Sequence, residues 1–532
     1  MDTKALRQKI LDLAIRGKLV PQDPNDEPAE VLLERIREQK QQMFKEGKLK
    51  KKDIKNDTII FKGEDNLHYE KFQDGTVKCI EDEIPFEVPE GWCWARVRDI
   101  AMVKGGKRLP KGASFSEEIT THAYIRVTDM KNHSVNISNL RYISDEIFSA
   151  IKNYTIAKDD LYVTIAGTIG VVGEIPDKLD GMNLTENAVK ITNIAINKSF
   201  LCIILQTDFV QQQFQDKTHQ VAMPKLALER ILSTLIPICP YVQQLQIVDR
   251  FQICDNFLST IDTEKEELQK IVSLSKYKIL DLAIRGKLVP QDPNDEPASV
   301  ILERIRTEKE ELIKQGKIKR DKKESVIFKG DDNSYYEKVG KVIKNIDNEI
   351  PFTIPDSWKW CRLKTICKKI VDGSHNPPKG LDFVTPYIMA SSRNIIENTI
   401  SDLSNVRYLN KENFIKEHSR TNVKINDILL TTVATLGRSC IYKGKPENLC
   451  FQRSVTVITS CILPTYLKLF FDAPYFQNII VKSATGTAQK GFYLNQLENV
   501  LICIPPLAEQ DKISCGISSI FYYLDLIEKS LN

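Results

Sequence analysis

The stretch ILDLAIRGKLVPQDPNDEP occupies Ile10–Pro28 and returns letter for letter at Ile279–Pro297. An identical run this long, at a period of about half the chain, does not describe a solenoid of short repeats and requires two large units built on one plan. Other segments keep the same period. All four tryptophans form matched pairs, Trp92 and Trp94 in EIPFEVPEGWCWARV, Trp358 and Trp360 in EIPFTIPDSWKWCRL. NLRYIS at Asn139 answers NVRYLN at Asn405, and LIPICPYVQQLQIV at Leu235 answers LICIPPLAEQDKIS at Leu501. Between these anchors the halves diverge, as two domains do when they share a fold and differ in what they touch.

Taken in order, residues Thr3 to Arg16 read as an amphipathic helix with Leu6, Ile10 and Leu13 on its apolar face, stopped by Gly17 and by Pro21 and Pro24. A second helix is expected over Ala29 to Lys45, followed by a basic linker. From about Ile59 to Pro240 short β-rich runs such as AYIRV and DLYVTI alternate with Gly, Asp and Asn turns, forming a first variable domain. A long helix follows from about Val242 to Arg285. Its heptad positions are Ile247, Phe251, Cys254, Leu258, Ile261, Lys265, Leu268, Val272, Ser275, Ile279 and Leu282, and only Lys265 and Ser275 interrupt the apolar seam. A four-three spacing held over this length is the coiled-coil signature, because a 3.5-residue period keeps one face against a partner helix; a long helix lying on a globular core is the other possibility.

The second half repeats the plan, with a helix over Ala298 to Lys314, a variable domain over about Val326 to Pro506, and a last heptad run at Ile513, Ile517, Ile520, Leu524, Ile527 and Leu531. That run stops where the central helix would have continued, and the missing part sits at the N-terminus, where Leu6, Ile10 and Leu13 align with Ser275, Ile279 and Leu282. The sequence therefore describes a circle cut once. The expected fold is α+β: two mixed α/β domains separated by long antiparallel coiled-coil helices, with a pseudo-two-fold internal repeat. Its boundaries fall at 1–58 for the first helices and basic linker, 59–240 for the first variable domain, 241–325 for the central helix, second helix and linker, 326–506 for the second variable domain, and 507–532 for the last helix. Two non-identical heads on approximate two-fold symmetry suit a two-part, asymmetric target on duplex DNA, with half-site separation set by the spacer.

Composition bounds the function without naming it. The formal charge of +4 does not establish nucleic-acid binding, so its distribution matters more. Lys48, Lys50, Lys51, Lys52 and Lys55 cluster in one half, and Lys317, Lys319, Arg320, Lys322 and Lys323 in the other. Each run is either a solvated linker or a non-specific phosphate contact. The 12 cysteines are scattered, with no CxxC pair and no histidine at zinc-finger spacing, so no metal site is expected and the reduced thiols suit a cytoplasmic protein. Neither a signal peptide nor a run of about 18 apolar residues is present, and no membrane association is expected.

The LDLAIRGKLVPQ box, the WxW lead-in to each variable domain, the TIAGTIG and TVATLGR turns and PPLAEQDKI together resemble the specificity subunit of type I restriction-modification systems, over essentially the whole chain. The resemblance implies two target-recognition domains, each reading half of a bipartite site on double-stranded DNA, and helices that dock two methyltransferase subunits; restriction subunits join to form the cutting complex. It also implies no cofactor in this chain, with S-adenosylmethionine in the methyltransferase partner and ATP and Mg in the restriction subunit. One departure is visible: the first copy of PPLAEQ reads CPYVQQ, Cys239 to Gln244, and lacks the Glu.

In that family base-reading side chains lie on loops, which singles out polar and basic residues between the β-runs. In the first domain these are Lys104, Lys107, Arg108 and Lys111 in KGGKRLPKG, where glycines let backbone approach phosphate, then Arg126, Asp129, Lys131 and Asn132 in RVTDMKNH, Thr168 in AGTIG, and Asn187, aligned with Arg453 of the second domain. In the second they are Ser374, His375 and Lys379, then Ser391, Ser392, Arg393 and Asn394, Thr435 and Arg438, Gln452 and Arg453, and Lys490 in the loop Gly486 to Gly491, whose counterpart is HQVAMP at His219. Arg, Asn and Gln can each pair with a purine edge through two hydrogen bonds.

Two near-misses argue against catalysis in this chain. Gly486 to Gly491 has the glycine spacing of a phosphate loop, but Phe492 stands where the lysine must be. Asn376, Pro377 and Pro378 resemble the NPP of adenine methyltransferases, but Lys379 replaces the aromatic that stacks on the flipped base. Non-catalytic recognition is therefore the leading expectation. A coiled-coil adaptor that binds proteins, and a self-contained modification enzyme, are the alternatives.

Overall fold

The computed structural model describes residues 2–215, 225–318, 320, 324–484 and 490–531, and divides into two compact units, Met1–Glu264 and Lys265–Asn532. The division falls inside one continuous helix, Tyr241–Ile284. No Pro or Gly interrupts this central helix, and it ends where Gly286 takes a left-handed φ of 65°.

In the first unit, helix Thr3–Ile15 leads through the repeated box to helix Ala29–Lys45 and a three-stranded meander, Ile59–Lys62, His68–Lys71 and Val77–Cys79. The WxW strand Cys93–Arg96 pairs antiparallel with Leu235–Ile238, tying the start of the variable domain to its end. Between them lie two four-stranded sheets. One has the antiparallel order Val172–Glu174, Leu161–Thr164, Ala188–Thr192, Met102–Gly105. The other runs Thr155–Ile156, Met182–Leu184, Ala123–Ile125, Arg141–Tyr142, with its central two strands parallel.

The second unit has the same plan. Helix Ala298–Lys314 precedes the meander Ser325–Lys329, Tyr335–Val339 and Val342–Asn345, and Lys359–Arg362 pairs with Leu501–Ile504. Its four-stranded sheet has the order Cys367–Asp372, Val455–Ser460, Ile428–Thr431, Ser439–Ile441, and its second sheet joins Arg407–Tyr408, Ile388–Ala390 and Leu449–Phe451, the last two parallel.

The identity of the two boxes has a physical cause, because each folds into the same socket. Gly17 and Gly286 both have φ of 65°, and a Cβ on either would lie 2.5 Å from the Cγ of Pro89 or Pro355. Arg16 stacks over Phe86 and Arg285 over Phe352, each 4.4 Å from the ring centroid. Behind the WxW strand, Arg96 forms a buried two-pronged pair with Glu70 at 3.1 and 2.9 Å, and Arg362 repeats it with Glu337 at 3.0 and 2.6 Å.

The CPYVQQ departure is accommodated in the same place. Trp92 Nε1 donates to Gln243 Oε1 at 2.9 Å, just as Trp358 Nε1 donates to Glu509 Oε2 at 2.9 Å. Gln243 then spends its amide N–H on Asp26 at 3.0 Å, whereas in the second unit Asp295 takes Lys512 at 3.1 Å. The following glutamines match as well: Gln244 accepts from Asn197 N and Gln510 from Leu463 N.

The heptad residues do not all face a helical seam. Ile247 and Phe251 pack into the core of the first unit with Leu11, Trp92, Phe200 and Ile238, and Ile513 and Ile517 into that of the second with Ile284, Trp358 and Tyr466. Leu258 is buried, Ile261 and Leu524 are half-buried, and Leu268 is 39% exposed. The box helix also turns a different face inward from the one expected: Leu11, Ala14 and Ile15 are buried while Leu6 is exposed, and Leu280, Ala283 and Ile284 repeat this. The 3.6-residue spacing of those buried positions follows the core, which competes with the heptad for the same helix.

Each unit nonetheless contains an antiparallel helix contact. Thr3 Oγ1 donates to Asp262 at 2.6 Å and Arg7 Nε to Asp255 at 2.6 Å, so Thr3–Ile15 runs against the first part of the central helix. In the second unit Lys276 meets Asp525 at 2.6 Å and Glu528 at 2.7 Å on helix Leu507–Leu531. Among the described residues no helix is long and apolar enough to cross a membrane.

Candidate nucleic-acid interface

Backbone hydrogen bonds set the two recognition surfaces in register. Gly106 N donates to the Ala188 carbonyl as Gly373 N does to Val455; Lys107 N to Leu184 as Ser374 N to Phe451; Ile165 N to Asn187 as Thr432 N to Ser454. Glu186 therefore stands where Arg453 stands, and Asn187 matches Ser454. This corrects the expected alignment of Asn187 with Arg453 by one residue. At the crossing itself a Cβ on Gly106 would lie 2.0 Å from the Thr185 carbonyl oxygen, and one on Gly373 2.3 Å from that of Gln452, so only glycine lets these backbones meet.

Two of the expected readers, Asp129 and Asn394, have their side chains taken up by the fold. Asp129 is buried, its Oδ2 accepting from Arg126 N at 2.9 Å and from Arg126 Nε at 3.0 Å. Asn394 occupies the same place in the second unit; it is wholly buried, accepts from Ser391 N at 2.9 Å and donates to the Asp402 carbonyl at 2.9 Å. Ser374 and Ser392 are also buried, their backbone groups bonded to Phe451 and Arg453 and to Ser454. The buried side chains of Asp129 and Asn394, whose partners the protein supplies, turn inward rather than toward a base. Beyond each of these turns lies a two-residue hairpin loop with both residues at positive φ, Asn132 and His133 in one unit, Glu397 and Asn398 in the other. Lys131 is exposed beside the first.

The remaining candidates of the second unit converge. The turn from Thr431 to Gly437 reaches the Ser391–Asn394 turn through Thr435 Oγ1, 3.4 Å from the Ser392 carbonyl, and Gly491 forms an isolated β-bridge to Val433, which brings Lys490 alongside. Ser392 N bonds Ser454 Oγ at 3.0 Å, placing Gln452 and Arg453 next to the same turn. Arg438 reaches the Ile395 carbonyl at 3.5 Å, and His375 Nε2 lies 3.8 Å from Asp372 Oδ2. His375, Arg393, Arg438, Arg453 and Lys490 are all exposed there, and the cations among them are suited to phosphate and to purine acceptors.

In the first unit the same backbone carries other side chains. Lys104, Lys107, Arg108, Lys111 and Thr168 are exposed, and Asn187 is half-buried. Val171, partly buried, takes the place of Arg438. Lys107 Nζ lies 5.4 Å from the Tyr154 ring centroid, and Arg126 is tied to Asp129 and to the Asn139 carbonyl. Arg108 Nε donates to Glu186 Oε1 at 2.7 Å, and the nearby carboxylate raises the guanidinium above its ordinary value. Residues Gly486–Gln489 and the HQVAMP run at His219 lie outside the described residues, as do Lys319, Lys322 and Lys323 of the second basic run. Of the rest of those runs, Arg320 is paired with Glu310 and Lys48 with Glu46.

The family model for the type I restriction modification DNA specificity domain matches residues 89–271 and 355–532, beginning just before each WxW strand. The chain belongs to the type I restriction-modification specificity subunits. It is 25% identical to the EcoEI specificity subunit of Escherichia coli, covering 99% of this chain and 90% of that protein, and 26% identical to the EcoAI specificity subunit, covering 96% and 87%. A solved structure titled for the complex assembly and conformational transition of the type I R-M system matches with a TM-score of 0.53 at 14% identity, covering 84% of this chain and 94% of that one, which is a likeness of fold. As a specificity subunit, the chain has the DNA-recognition role in such a system.

Sequence reading of this specificity subunit missed Glu186 and Lys225, whose Nζ donates to the Glu186 carbonyl at 3.2 Å. Glu186 is separated from Arg108 by 78 residues and carries the charge opposite to the one being sought.

Proposed function

We propose that each unit reads one half of a bipartite DNA site, and that the central and terminal helices form an antiparallel, pseudo-two-fold coiled-coil spacer docking two methyltransferase subunits. Exposed lysines around Gly105–Gly112 and the basic residues of the second unit position the duplex through phosphates, and side chains at the loop tips read base edges. Chemistry belongs to the partners: methyl transfer to a flipped adenine uses S-adenosylmethionine held by the methyltransferase subunit, and restriction subunits complete the complex. The observation that carries this reading is the repetition of one backbone, crossing for crossing, beneath different side chains at the equivalent positions Glu186 and Arg453. A common support with exchanged tips is what two independent half-site readers require.

The test is exchange of residues 60–240 for the same segment of another specificity subunit, followed by a genome-wide map of N6-methyladenine. One half of the methylated motif is expected to change while the other half and the separation stay. A change in both halves, or in neither, would sink the assignment of one half-site to each unit.

A further inference from the structure

The pair Arg108 and Glu186 has a geometry that the second unit lacks. Glu186 is held from behind: its Oε2 lies 3.1 Å from Thr185 Oγ1 and 3.3 Å from the Tyr124 hydroxyl, which is itself 2.7 Å from the Lys107 carbonyl oxygen. Lys225 bonds its carbonyl. Tyr124, of the strand Ala123–Ile125, gives its one O–H to the Lys107 carbonyl, so the hydroxyl that holds Glu186 Oε2 is that of Thr185. The other Glu186 oxygen takes Arg108 Nε at 2.7 Å, leaving both η nitrogens of Arg108 with no partner among the described residues. The Arg108 side chain is 79% exposed.

An ion pair this exposed contributes little to folding against the cost of ordering a long side chain. What the contact does is orient the guanidinium. With Nε occupied, the outer edge presents two N–H groups in one plane, the arrangement that meets O6 and N7 of guanine in the major groove; an unpaired carboxylate at the tip would select the cytosine amino group instead. Ordering the arginine before DNA arrives also lowers the entropy lost on binding.

We propose that Arg108 reads a guanine in the half-site recognised by the first unit, with Glu186 as the positioning residue that aims it. The inference rests on the assignment of one half-site to that unit. Lys104, Lys107 and Lys111 flank the arginine and contact phosphate in this arrangement. The second unit, with Arg453 in the place of Glu186 and His375 in the place of Arg108, reads different chemistry at the same point of its surface.

The test uses the specificity subunit assembled with its methyltransferase subunits, and duplexes carrying the mapped motif with single base-pair replacements across the half-site that segment exchange assigns to residues 60–240. In the parent protein, replacing one G·C pair is expected to weaken binding on the order of 10- to 100-fold, and with Arg108→Ala that penalty falls to under roughly twofold. Arg108→Lys, which keeps the charge, recovers affinity without recovering the discrimination. Glu186→Gln gives a partial loss at the same position in the parent background and no further loss in Arg108→Ala, a non-additivity that mere structural support would not produce. Discrimination surviving in Arg108→Ala, loss confined to an A·T pair, or equal weakening on every duplex overturns the guanine assignment; an additive Glu186→Gln effect overturns the positioning role. Failure of segment exchange to alter one half of the motif is a separate result, since it removes the half-site assignment before Arg108 is tested.

Discussion

The two units share their buried machinery almost atom for atom and differ at the loop tips. Trp92 and Trp358, Arg96 and Arg362, Gly17 and Gly286, Gly106 and Gly373 make the same contacts at closely similar distances. At the tips, a carboxylate with a tethered arginine in one unit corresponds to a position held by arginine in the other. Backbone crossings and buried ion pairs tolerate little variation, because each is satisfied by specific partners, whereas exposed tips cost almost nothing to change. Specificity can diverge there while the support stays constant.

The comparison is easiest to break at the support. Arg96 and Arg362 each hold two glutamates and a backbone carbonyl, Ser233 at 3.0 Å and Asn499 at 2.9 Å. Replacing Arg96 by alanine leaves the buried Glu70 without its partner, and replacing Arg362 does the same to the half-buried Glu337, a loss of up to about 3 to 5 kcal/mol. Urea unfolding of Arg96→Ala and Arg362→Ala should show costs equal within about 1 kcal/mol. A loss confined to one of them would show that the repeat is geometric but not energetic.

A smaller effect sharpens the comparison at the tips. Arg453→Glu gives the second unit the charge that Glu186 gives the first, without the Arg108 to which Glu186 is bonded; His375 stands in that place, 3.8 Å from Asp372. Burial raises the Asp372 carboxyl above its ordinary value, against the opposing hydrogen bond from Thr456. Binding to the full site should weaken by about 1 to 3 kcal/mol, with base discrimination altered only in the half-site of the second unit. Discrimination lost in both halves would mean that the tips do not act independently.

How much of this the amino-acid sequence disclosed follows from the same contrast. Helices Ala29–Lys45 and Ala298–Lys314 were legible to the residue, because an amphipathic run bounded by Pro and Gly leaves little choice. The box and WxW segments announced a shared fold through identity alone. The tips were less legible. Asn187 and Arg453 look equivalent by eye when Val189 is matched to Val455, but pairing Leu184 with Phe451 and Ala188 with Val455 fits the other register, and the bonds of Gly106 and Lys107 settle it. Asp129 and Asn394 have the chemistry of base readers, yet local hydrogen bonding folds them back on their own turns, a competition that residue type cannot reveal. On the helices, the heptad at Leu6, Ile10 and Leu13 was real as a pattern, but Leu11, Ala14 and Ile15 are the residues the core takes.

The smallest effect concerns Gln243 and Glu509, the place where the first box departs from the second. Burial raises the Glu509 carboxyl above its ordinary value of 4.5, opposed by the hydrogen bonds from Trp358 and Gln291. A folded-state value above the unfolded one means that the folded protein binds the proton more tightly. The contribution to stability is therefore complete below the unfolded value near 4.5 and is lost as pH rises through the elevated folded value. Gln243 has no such titration. Glu509→Gln should flatten the pH dependence of unfolding of the second unit above pH 4.5 and change its stability at neutral pH by less than about 1 kcal/mol. The amide can reproduce the Gln243 arrangement only if its Nε2 reaches Asp295, which Lys512 already holds at 3.1 Å. Combining it with Lys512→Gln, which matches Gln246 of the first unit, should then recover what the single change loses; if the double variant is the less stable of the two, the two sockets are alike in contact but not interchangeable in charge.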